Sequence, residues 1–151
     1  MIIDWLATNG FEKAGGIELR GDRPIAFADP SCFWSGGVYA WIAQSASGAE
    51  LLYIGKAGTT LSRRCAQHCG GFSGKSRSKA GLRNGQAIRE RIARGETIEI
   101  WAREAARVEL FGQTVSLHST EEEALILKFN PPLNRGGRST EARSDALDCS
   151  A

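Results

Sequence analysis

No stretch of about 18 consecutive apolar residues occurs anywhere in the 151-residue chain, which excludes a membrane-crossing helix. The opening MIIDWLATNGFEKAGG carries Asp4 early and has no long apolar run, so a secretory signal peptide is not expected. Cysteine is scarce: Cys32, Cys65, Cys69 and Cys149 are scattered without a paired pattern. Free thiols in a reducing environment are the expected state, and the cytoplasm the expected location. No internal repeat is visible. The length is that of one domain with a single core.

What charge there is lies unevenly. The net charge is only +2, yet residues 56–94 hold ten basic residues against one acid, Glu90. The remainder of the chain is therefore net acidic. A solvated helix face is the plain account of such a run, but its concentration in one place favours a polyanionic partner such as a phosphate backbone. This speaks of binding and not of chemistry.

Hydrophobic patterning outlines the elements. Residues 1–35 read as an N-terminal extension packing on the core, with a short helix at 2–11 and one or two strands in GIELRGDRPIAFADPS. Residues 36–44 form a strand that is apolar on both faces, hence central and buried. After the turn SASG, residues 50–55 return as a second strand, and a simple hairpin register puts Tyr39 and Tyr53 on one side. Thr59 or Thr60 caps a helix beginning near Leu61, on which Leu61, Cys65 and Cys69 form a buried stripe at four-residue spacing. Arg64 and His68 flank that stripe as i, i+4 neighbours. The stripe explains the cysteines as core thiols; a metal site from Cys65, His68 and Cys69 would lack a second ligand pair. GGFSGKSRSKAG is a loop, residues 82–94 a basic helix, 97–103 a strand, and VELFGQTVSL a further hairpin. Residues 119–129 form a helix stopped by Asn130-Pro131-Pro132, and 135–151 lose periodicity, as a disordered tail does.

One residue does not fit its helix. The acids of STEEEALILKFN have a plain account as a capping box, with Ser119 or Thr120 as N-cap and Glu122 or Glu123 closing it. Placed at ~100° per residue, however, Ile126 and Phe129 fall on either side of Glu122, so Glu122 lies near the middle of the apolar face. Glu121 and Glu123 fall towards its edges. A carboxylate aimed at a core is costly unless an arginine or a divalent cation neutralises it.

Gly37-Val38-Tyr39, Tyr53-Ile54-Gly55-Lys56, Arg64-x-x-x-His68, Glu122 and Asn134 follow one another in the order of a known signature. Over residues 36–134 the chain resembles the GIY-YIG nucleases, which include the nuclease domain of the bacterial excision-repair incision enzyme, homing endonucleases and some restriction endonucleases. The thirteen residues between Tyr39 and Tyr53 are slightly more than is common. One extra residue after Gly55 makes Arg63 a competitor of Arg64.

The resemblance implies an α/β fold of the α+β type, with a small three-stranded antiparallel sheet flanked by helices, in a nuclease-like domain at 36–134. It implies a metal-dependent endonuclease that hydrolyses DNA by water attack, with one Mg2+ (or Mn2+) per active site. Glu122 would ligate the cation, and Arg64 would fork onto the phosphate. Tyr53 would be the general base; a phenol with a reference pKa of about 10 needs help at neutral pH, which Lys56 and the cation would give. Tyr39 would position the water or share that role, and His68 would assist Tyr53 or hold the phosphate. Gly55 and Asn134 would support the site. Lys75, Arg77, Lys79 and Arg83 would grip DNA through phosphates. The partners implied are DNA, structured or branched forms included, and a protein partner or second copy for targeting, in repair or in restriction. The alternative is a catalytically silent nucleic-acid-binding module of the same fold.

Overall fold

The computed structural model describes residues 1–135; all of the expected tail but Arg135, Cys149 included, lies outside the described residues. Alternating burial decides where the strands sit. In chain order the elements are helix α1 (Ile2–Thr8), strands β1 (Glu12–Arg20), β2 (Arg23–Ala28), β3 (Ser35–Ser45) and β4 (Gly48–Thr60), and helices α2 (Leu61–Phe72) and α3 (Lys79–Ala93). Strands β5 (Thr97–Glu104), β6 (Arg107–Leu110) and β7 (Gln113–Ser116), helix α4 (His118–Phe129) and a 3-10 turn at Pro132–Asn134 complete them.

The sheet has five strands rather than the three expected, in the order β2-β1-β5-β3-β4, with every neighbouring pair antiparallel. The difference comes from the first 35 residues. Their apolar positions alternate well enough (Ala14, Ile17 and Ala26 are buried) for the β1–β2 hairpin to pair with β5 and cover an otherwise open edge. The β6–β7 hairpin stands apart as a two-stranded ribbon.

Strand β3 is buried along Gly36–Ala43, as its two apolar faces require. One face carries Val38, Ala40 and Ile42, which pack with Leu6, Phe11 and Ile54 under α1 and α4. The other carries Tyr39, Trp41 and Ala43, which pack with Leu61, Cys65, Phe72 and Ile88 from α2 and α3. A bulge in β4 pairs Trp41 with Tyr53 and Ile42 with Leu51, leaving Leu52 as the extra residue. Leu52 fills the core on the α2 side while Tyr53, next to it, still lies on that same side. The bulge thus sets the phase of the Tyr53–Ala57 segment.

Helix boundaries shift in ways that local chemistry explains. Thr60 caps α2 by accepting from the Arg63 amide, and Ser78 caps α3 by accepting from Gly81, so α3 begins at Lys79 rather than at residue 82. The expected capping box at 119–123 does not form. Helix α4 starts at His118, with Leu117 as an N-cap that makes no side-chain bond. Ser119 and the acids are thereby left to reach outward.

Ile100 lies in the middle of β5 and is fully buried. Ile100→Ala is expected to lower stability by about 2–5 kcal/mol, read from the urea midpoint at unchanged m-value; a loss below 0.5 kcal/mol would contradict this packing.

Candidate active site

The register of β3 against β4 sets Tyr39 opposite Gly55 and Trp41 opposite Tyr53, so both phenols rise from one face of the sheet. Their ring centroids are 6.2 Å apart. Gly55 is required there: a Cβ at that position would collide with the Tyr39 ring and hydroxyl. Helix α2 crosses above them, anchored by Leu61 and Cys65, and brings Arg64 and His68 one turn apart over the tyrosines.

Tyr39 is 1% exposed, and its hydroxyl has two partners: Arg64 Nε donates to it at 3.1 Å, and His68 Nε2 lies 2.5 Å away. Burial, with Arg64 adding to it, pushes the His68 pKa down to about 3. The ring is therefore neutral, and one hydrogen bond joins its Nε2 to the Tyr39 hydroxyl. Burial pushes Tyr39 well above the ordinary phenol value, although Arg64 opposes it. Tyr53 is also raised, first by burial and then by the charge of Glu122, with Arg64 again opposing. The sequence placed His68 beside Tyr53 or on the phosphate; its ring lies edge-on to Tyr53 with centroids 5.7 Å apart, and its hydrogen bond goes to Tyr39. Arg63, the competitor, has an exposed side chain, and its amide is the group that Thr60 caps.

Lys56 and Glu122 meet on the other side of β4. Lys56 is opposite Val38 in the register and lies on the Ile54 face, against α4. Its ammonium is 3.5 Å from Glu122 Oε2 and donates to Ser119 Oγ at 3.2 Å. Lys56 is not among the groups that move the Tyr53 phenol, contrary to the expected help; Arg64 does that. The three neighbouring acids of α4 are sorted by the structure. Glu123 is exposed. Glu121, placed at the edge of the apolar face by the helical wheel, is half-buried and spoken for by Arg103 and by the Ala106 amide at 2.7 Å. Glu122, 21% exposed, has only the half-exposed Lys56 as a charged partner among the described residues. That leaves its oxygens available to a hard cation, for which a single carboxylate with water suits magnesium better than a soft metal. The charge of Glu122 lies close enough to Tyr53 to add to the rise of its pKa, after burial, from the other side of β4.

Asn134 joins them. Its Oδ1 accepts from the Ile54 amide and its Nδ2 donates to the Ile54 carbonyl, both at 2.8 Å. It occupies the free edge of β4, between Tyr53 and Gly55, as a further strand would. Cys65 and Cys69 do not gather round His68: the Cys65 thiol is pushed up to about 12, chiefly by burial, and Cys69 Sγ bonds to the Ala26 backbone. His118, which the sequence reading passed over, begins α4 one turn before Glu122; its Nδ1 is 3.0 Å from Ser116 Oγ. The i, i+4 spacing was the signal for it.

The basic run divides in two. Arg91 pairs with Glu50 and Glu96, and Arg94 with Glu96. Lys75, Arg77, Lys79 and Arg83 are exposed, in the α2–α3 connection and the first turns of α3.

No family model matches the chain, and no curated protein does. Two solved structures share its fold. A mutant of bacteriophage T4 EndoII aligns at 21% identity over 86% of this chain and 96% of its own, with a TM-score of 0.69. The restriction endonuclease HPY188I in complex with product DNA aligns at 17% identity over 93% of this chain and 84% of its own, with a TM-score of 0.52. No helix among the described residues is long and apolar enough to cross a membrane.

Because His68 takes a proton far less readily folded (about 3) than unfolded (6.5), the unfolded chain binds more protons between those values. The stability it confers is full above pH 6.5 and is lost as pH falls from 6.5 towards 3, by about 1.4 kcal/mol per pH unit. Urea midpoints at pH 7, 5.5 and 4.5 should fall more steeply for the wild type than for His68→Gln. Parallel profiles would contradict a buried neutral imidazole.

Proposed function

We propose that the chain is a GIY-YIG-type endonuclease that hydrolyses DNA phosphodiester bonds with one divalent cation, Mg2+ or Mn2+, held by Glu122. The observation that carries this is the joint placement of two phenols, the Arg64 guanidinium and an available carboxylate around one strand edge. The shared fold of a phage endonuclease and a restriction endonuclease, one of them bound to product DNA, supports it.

Residue roles follow from exposure and partners. The cation, when bound, supplies Lewis-acid relief of charge on the phosphate and the departing oxygen. Arg64, fixed by its Nε bond to Tyr39 and by an Nη1 bond to Gln67 Oε1 at 3.0 Å, brings its fixed positive charge to a phosphate oxygen as charge grows there. Tyr39 is too buried to meet a water directly; it orients Arg64 and is itself held by its hydrogen bond with His68 Nε2. Tyr53, the more exposed phenol, is the one to take the attacking water. Its pKa lies above the ordinary phenol value, so at neutral pH its hydroxyl positions that water; a cation held by Glu122 would favour its phenolate, the form that can act as the base. Lys56 holds the Glu122 carboxylate in place until the cation takes over its charge. Asn134 keeps β4 and the end of α4 in register. Lys75, Arg77, Lys79 and Arg83 grip the DNA backbone beyond the cut.

Glu122→Gln should abolish Mg2+-dependent plasmid cleavage, by roughly three orders of magnitude or more (~4 kcal/mol), while keeping fold and metal-free DNA binding. Undiminished cutting by this variant would end the proposal. Salt-dependent binding without any turnover by the wild type would leave the catalytically silent module.

Replacing Lys75, Arg77 and Lys79 by alanine should weaken binding of all DNA sequences alike and reduce the slope of log K against log salt by up to about 3. An unchanged slope in fluorescence anisotropy titrations would remove these residues from the interface.

A further inference from the structure

His118 is half-buried and no step above uses it. It stands at the start of α4, at i, i+4 to Glu122, so the two side chains share one side of the helix with Cβ atoms roughly 5–6 Å apart. Its ring is held at one nitrogen only: Nδ1 lies 3.0 Å from Ser116 Oγ, and among the described residues Nε2 has no hydrogen-bond partner. Nε2 faces β4 at Gly58, 3.6 Å from where a Cβ of that residue would stand. Gly58 lies two residues beyond Lys56, at the bulge where β4 gains a residue against β3 between Ala57 and Thr60. The absence of a side chain there leaves the space beside the imidazole open. Gly36 makes room for the support as well, because a Cβ there would come 2.8 Å from Ser116 Oγ. An imidazole fixed through one nitrogen by a second group, with the other unpaired and a carboxylate one helical turn away on the same side of the helix, has the makings of a residue in a metal's surroundings.

We propose that His118 is a second protein contact of the cation held by Glu122, its Nε2 accepting a hydrogen bond from one of the cation's water ligands. This rests on the reading of Glu122 given above. The contact runs through water because Mg2+ keeps most of its hydration and prefers oxygen. Ser116 accepts from Nδ1–H and so holds the tautomer whose Nε2 is an acceptor. Lys56 and Ser119, which face the same space, keep the imidazole's neighbourhood polar when the cation is absent.

The test is Mn2+ alone, titrated into the full chain without DNA and followed by the EPR signal of free Mn2+. The wild type is expected to bind one ion, and Glu122→Gln to bind none in the same range. His118→Ala should bind about 10-fold more weakly, the usual minimum for losing such an outer contact. His118→Gln, which keeps a side-chain acceptor, should recover part of the loss, and it serves as the decisive variant if the alanine form does not fold by circular dichroism. If His118→Ala, or in its place His118→Gln, binds Mn2+ as tightly as the wild type while Glu122→Gln does not bind, the inference is overturned and the nuclease reading stands. If the wild type binds no Mn2+, the cation reading of Glu122 falls and this inference with it.

Discussion

The hydroxyl of Tyr39 is the point on which the site turns. It is sealed between sheet and helix, where an unpaired phenol would cost about 1–3 kcal/mol, and it is satisfied on both sides, by a guanidinium that donates and by an imidazole nitrogen. Both partners come from α2, one turn apart, so only one rotation of that helix over the sheet serves both. Leu61 and Cys65, buried on the same helix, fix that rotation from below. The packing stripe and the polar pair are interleaved on one short helix. Neither can be altered without the other noticing.

The arrangement also explains why chemistry gathers at β4. This is an edge strand, with α2 and the phenols on one side and α4 with Glu122 on the other. A polymer lying along such an edge can meet positive charge from both faces, Arg64 from one and Lys56 from the other. The Leu52 bulge and Gly55 are the two local devices that let a bulky, polar set of side chains line a strand that is otherwise core. Asn134 closes the outward hydrogen bonds of Ile54, which this edge would otherwise present at the level of the two tyrosines.

Much of this was legible in the residues. The period-2 burial of the 36–55 hairpin put both tyrosines on one face, and the i, i+4 spacing of Arg64 and His68 put both on one side of a helix. Glu122 stood out because an acid near the middle of an apolar helical face needs a reason. What the sequence could not reveal was partnership at long range. Arg103 claims Glu121 from β5, Lys56 reaches Ser119 and Glu122 across 63 and 66 positions, and His68 bonds the Tyr39 hydroxyl while its ring also meets Tyr53. The five-stranded sheet was missed for a related reason: the pairing of β1 with β5 joins segments about 80 positions apart, and no local pattern announces it. The capping box was a sound local rule overridden when β7 ran directly into the helix.

The bond pair between Asn134 and Ile54 has a geometric corollary. It fastens the chain twelve positions after Glu122 to the strand that carries Tyr53, so the segment between them behaves as a ruler with both ends nailed down. Adding or deleting one residue within the intervening helix would swing the carboxylate around the axis by about 100°, away from the strand edge, while leaving every side chain of the candidate site present. In this chain the count of residues between acid and amide is as much a part of the machinery as their identities.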